Sequence, residues 1–81
     1  MKRAEAVRRV RAAARAGELI YLGYAKVALE KRSIPADAVR ALLARARSFE
    51  PQTQDHWRVF GDDLTVIVWV RAEGVFIRNV F

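Results

Sequence analysis

His56, Arg58, Arg71 and Arg78 are the residues of this 81-residue chain whose types suit phosphodiester chemistry. Cleavage of RNA through its own 2′-hydroxyl needs a base, an acid and positive charge on the developing phosphorane. Histidine has an ordinary pKa of about 6.5, so it can work as acid or base near neutrality. His56 is the only one in the chain. Arginine suits the phosphorane because its planar fork donates two parallel hydrogen bonds to phosphate oxygens. Lys26 and Arg32 add cations from the region before these residues. Trp57 and Trp69 either stack on bases or belong to a core. Asn79 either reads a base edge or bonds within its own sheet. Arg78, set among Phe76, Ile77 and Val80, must reach a partner or line an open face, since burying an unpaired charge is costly.

Other chemistries find little support. The chain has no cysteine, which removes disulfides, thiolate zinc ligation and thiol nucleophiles and fits a reducing compartment. No Walker loop, G-x-S-x-G, H-E-x-x-H or glycine-rich dinucleotide turn occurs. The one adjacent carboxylate pair, Asp62-Asp63, falls in an expected turn and is read as turn chemistry. Neither a metal nor a cofactor is expected.

The elements that must position these residues are legible. Leu64–Arg71 and Val75–Phe81 are rich in Val, Ile, Phe and Trp and read as a hairpin across Ala72-Glu73-Gly74. A three-residue connection closing on glycine places Arg71 opposite Val75, Trp69 opposite Ile77, Ile67 opposite Asn79 and Thr65 opposite Phe81. That register puts Val66, Val68, Val70, Phe76, Arg78 and Val80 on the other side. His56–Phe60 reads as a further strand and Glu18–Leu22 as a short one. Residues 3–16 read as a helix stopped by Gly17. A second helix spans about 23–31, and a third starts at Pro35 and ends near Arg47. Ser48–Asp55 reads as a polar connection, with Pro51 excluding a regular strand. The expectation is one α+β domain over residues 1–81, with three helices on one face of an antiparallel sheet of three to four strands.

Charge is unevenly distributed. The net charge is +6, with 12 Lys/Arg against 4 Asp/Glu over residues 1–47 and 3 against 5 over the remainder. This asymmetry favours an anionic partner. Arg8, Arg11 and Arg15 share a helix face that is either solvated or a footprint for phosphates. No membrane span or signal peptide is evident, so a cytoplasmic location is expected.

The stretch ELIYLGYAKVALEKRSIPADAVRALL, followed by WRVFGDDLTVIVWVRAEGVFIRNVF, resembles a bacterial domain family of unknown function. That family has a hydrophobic strand, His-Ala, Arg-Gly-Ile, a Val-containing helix and three final strands. It is similar in layout to the RelE/ParE-like toxins, including MqsR-type mRNA interferases. Arg32 and Ile34 match the pattern, whereas Tyr24 stands in place of its His and Ser33 in place of its Gly. The resemblance implies a RelE-like fold and a toxin-antitoxin role with an acidic antitoxin partner. It also implies metal-independent endoribonuclease activity on RNA, with or without the ribosome. Tyr24 then either donates a proton from the histidine position or packs on Leu29 and Ala28. A non-catalytic module binding an acidic protein or nucleic acid is the alternative, and free sheet edges make a homodimer a further expectation.

Overall fold

Alanine and arginine dominate Arg3–Ala16, and this stretch forms helix α1 in the computed structural model, which describes residues 1–81. Gly17 ends it at φ +71°, a left-handed conformation that glycine adopts without a Cβ clash. The Glu18 N–H reaches back to the Ala13 carbonyl at 2.8 Å. Strand β1 (Leu19–Tyr21) follows, then α2 (Gly23–Lys31) and α3 (Ala36–Arg45). Ser33 closes α2 at φ +53°, with the Ile34 N–H donating to the Leu29 carbonyl at 2.9 Å. The position where the resembled pattern carries glycine is therefore one whose backbone favours glycine.

Four further strands complete the chain: β2 (Ser48–Pro51), β3 (His56–Phe60), β4 (Thr65–Arg71) and β5 (Gly74–Val80). They form one open mixed sheet in the order β1-β5-β4-β3-β2. β1 runs parallel to β5, and every other pair is antiparallel. The protein is thus α+β as expected, with five strands rather than three or four. The added strand is β2, within the stretch expected to be a loop. Proline lacks an N–H for a ladder, but β2 is an edge strand and Pro51 stands at its end, where that donor is not needed.

The hairpin register is corrected in one half and kept in the other. Arg71 pairs with Gly74, Val70 with Val75, Trp69 with Phe76 and Val68 with Ile77. A β-bulge then takes up Arg78, after which Ile67 faces Asn79 and Thr65 exchanges hydrogen bonds with Phe81. The connection is therefore two residues, Ala72-Glu73. The cause lies in the core. Val75, Ile77 and Val80 are all buried, and the spacing from 77 to 80 breaks the two-residue period of a strand. One extra residue restores it.

One core of 17 buried residues, all apolar, joins the helices to the sheet. Val66, Val68 and Val70 of β4, Val75, Ile77 and Val80 of β5, and Trp57 and Val59 of β3 face it. α1 and α3 pack on each other, and α1 lies against β5, β4 and β2. α2 packs chiefly on β5, and its Tyr24 borders the opposite sheet face. Ala25 and Leu29 of α2 are buried in the same core that α1 and α3 cover.

Candidate nucleic-acid interface

Strand alternation places His56, Arg58 and Phe60 of β3, Ile67, Trp69 and Arg71 of β4, and Phe76 and Arg78 of β5 opposite the core-facing set. All are partly or fully exposed. Arg58, Arg71 and Arg78 therefore share one face of the sheet that α1 and α3 leave uncovered. The hairpin register read from sequence put Arg78 on the face of Val66, Val68 and Val70. The bulge moves it to the face of Trp69.

Trp69 is the centre of this face. The His56 ring lies parallel to the indole, with centroids 5.1 Å apart and planes 10° apart. Phe76 is tilted against it at 5.7 Å. The Arg71 and Arg78 guanidiniums stand 4.4 and 5.3 Å from the ring centroid, within the range of cation–π attraction. An imidazole and two guanidiniums thus share one aromatic platform. Trp57, by contrast, is 4% exposed and packs edge-on to Phe49, so it belongs to the core.

A tight turn fixes His56. Gln54 and Asp55 have φ of +54° and +60°, and the His56 N–H bonds the Thr53 carbonyl at 3.1 Å, which defines a type I′ turn. The His56 Nδ1 lies 2.9 Å from the Thr53 carbonyl and 3.1 Å from that of Gln54. A carbonyl only accepts, so Nδ1 carries the hydrogen, and in the neutral ring Nε2 holds the free lone pair. The arrangement leaves Nε2 as the atom able to take a proton.

Beside this cluster an open hollow of about 550 Å³ is lined by Leu22, Tyr24, His56, Ile67, Arg78 and Asn79. Tyr24 is 72% exposed, so it is not sunk among Leu29 and Ala28 and stands at the rim of the hollow. The Asn79 Oδ1 accepts the Val80 N–H at 2.9 Å and closes the backbone next to the bulge, so its side-chain N–H₂ is the part left for a ligand. Arg32 lines a neighbouring hollow with Lys31. Lys26 is exposed but lines neither hollow. Arg58 lies on β3 opposite Ile67 but outside the hollow, 4.0 Å from Glu50, with its buried Nε unpartnered. Arg71 pairs with Glu73 at 3.3 Å.

Lys31 and Phe76 are the site neighbours that sequence reasoning missed. Tyr24, Val27, Ala28 and Lys31 recur at i, i+3, i+4 and i+7, which is one helix face. That spacing was the available signal. No three His, Cys, Asp or Glu side chains are grouped so as to hold a metal ion. No helix is long and apolar enough to cross a membrane. Comparison of the chain with models of known protein families, with curated proteins and with solved structures gives no significant match.

Proposed function

We propose that this protein is a RelE-like, MqsR-type toxin that binds single-stranded RNA on its open sheet face and cleaves it without a metal ion. The observation that carries this reading is the gathering of His56, Arg71 and Arg78 around Trp69 on one uncovered face. In the proposed reaction, His56 Nε2 takes the proton of a ribose 2′-hydroxyl. The oxygen forms a bond to the adjacent phosphorus, and the bond from phosphorus to the 5′-oxygen breaks. The Tyr24 hydroxyl, or the imidazolium just formed, gives the leaving oxygen its proton. The products are a 2′,3′-cyclic phosphate and a 5′-hydroxyl. Arg78 and Arg71 hold the extra charge of the phosphorane, and Arg58 adds positive potential from β3. An acidic antitoxin would silence this face, and the ribosome would present the RNA in the cytoplasm.

Purified protein incubated in EDTA with mixed single-stranded RNA is expected to yield cyclic-phosphate ends. His56→Ala should lower the rate by about 10²- to 10⁴-fold, the usual contribution of a general acid or base, without unfolding the chain. Unchanged cleavage by His56→Ala would remove the mechanism. Growth arrest on expression covers an activity that needs the ribosome.

A second reading keeps the fold and drops the chemistry. The outer side of α1 carries an open hollow rimmed by Arg3, Arg8, Arg11 and Arg15, a surface suited to an acidic protein. Binding of RNA or of an acidic partner with no cleavage in either assay would favour this interaction module.

A further inference from the structure

The hollow holding His56 and Arg78 does not stand alone. A second hollow, of about 360 Å³, opens on the α2 side, and Tyr24 and Asn79 line both. Their volumes fall in the range of small-ligand sites. Lys31 and Arg32 line the second one, and Val27 is 50% exposed at its wall. Neither hollow has a carboxylate in its lining, whereas two other surface hollows are lined by Glu18 with Glu73 and by Asp62 with Asp63. Lys31 and Arg32 sit at the C-terminal end of α2, whose partial negative charge of about half a unit two full cations outweigh.

We infer that the two hollows are successive subsites for consecutive nucleotides of one single strand, divided by the exposed Tyr24 ring and held on the α2 side by Lys31 and Arg32. This inference rests on the RNA-binding reading above and extends it. Two hollows sharing a wall accept neighbouring units of one polymer. The wall presents an aromatic face on which a base stacks whatever its sequence. Cations on the far side meet the flanking phosphate, and Arg78 meets the near one. A strand engaging both subsites gains affinity through the link between them, because the second contact becomes intramolecular. A dinucleotide can fill both hollows but carries one internucleotide phosphate and lacks the flanking one that Lys31 and Arg32 meet. Longer strands should therefore bind more tightly, and that gain should depend on α2.

The test uses 2′-O-methyl oligouridines, whose capped 2′-oxygen prevents cleavage, with two or six nucleotides. Binding to the full chain is followed by fluorescence anisotropy at several salt concentrations. Wild-type protein should bind the hexamer at least tenfold more tightly than the dimer. Lys31→Glu with Arg32→Glu should erase that margin. The double variant should also lower the salt slope for the hexamer by about 0.7, the contribution of the one flanking phosphate that these cations neutralise on a single strand. Tyr24→Ala should weaken hexamer binding about fivefold or more, and Tyr24→Phe should restore it. A margin that survives the α2 double variant, or no margin in wild type, would overturn the extended groove while leaving the open-face reading intact. No binding of either oligomer, with Arg78→Glu changing nothing, would overturn both.

Discussion

At the scale of single residues, Tyr21, packed against the core beside α3, shows how a side chain reports on its surroundings. Its phenol is shifted above the ordinary value of 10.0, first by burial and then by the Asp37 carboxylate, with Arg40 opposing. The hydroxyl donates to the Ala36 carbonyl at 3.4 Å, a long contact. A raised value means that the folded state keeps its proton where the unfolded chain loses it. The resulting stability is fully present below about pH 10 and is lost as pH rises through the folded-state value. Urea midpoints of wild type and Tyr21→Phe should therefore agree closely at pH 8. Above pH 10 the wild type should fall more steeply. Parallel curves would show that the phenol contributes no linkage. Sequence reasoning gave Tyr21 no role, because neither Asp37 nor the depth of its ring can be seen without the packing of α3 on the β1–α2 junction.

At the scale of elements, the turn before β3 and the brace between α1 and α3 make separate predictions. Gln54 holds a left-handed φ without the local advantages of Asn or Gly. Gln54→Asn should stabilise by about 0.5 kcal/mol and raise the melting temperature by about 2–4 °C. Under the mechanism proposed above, cleavage should persist, because the Thr53 carbonyl that orients His56 is unchanged. Between the helices, Arg40 of α3 donates from Nε to the Ala14 carbonyl at 2.7 Å and from a terminal nitrogen to the Arg15 carbonyl at 3.1 Å. Both carbonyls lie in the last turn of α1, where the i+4 donor is missing, and that of Ala14 also accepts the Gly17 N–H at 3.2 Å. Arg40→Met keeps the aliphatic stem and should destabilise by about 1.5 kcal/mol in urea denaturation, the lower end for hydrogen bonds from a charged donor. The helices, β1, β3 and the hairpin were legible because their periodicities are strong. β2 was not, since Pro51 argues against a strand unless its place at the edge is known. The bulge was half legible. Val75, Ile77 and Val80 carry its spacing, but only the helices behind the sheet show which side those residues must face.

At the scale of the whole molecule, the basic half of the chain divides into two populations. Arg3, Arg9, Arg11 and Arg40 each donate to a main-chain carbonyl of another element, on Phe49, Arg71, Ala46 and Ala14 respectively. These cations act as braces as well as charges. Arg8 and Arg15, also on the basic half, are exposed and bond no carbonyl, while Arg78 from the other half stands on the open face. Sequence could count the charge asymmetry but not make this division, because the carbonyls concerned lie 26 to 62 residues away along the chain. Only the first population should change stability on neutralisation. Net charge alone is therefore a poor guide to where an anion would bind.

The parallel pairing of β1 with β5 sets an order of events for a newborn chain. Leu19 meets Val75, a partner that translation at about 5–20 residues per second delivers roughly 3–11 s later. Until then the first strand has no neighbour, and the bulged segment carrying Arg78 does not exist to complete the cationic face. The open face would thus emerge incomplete and be assembled only as the last strand slides in beside the first.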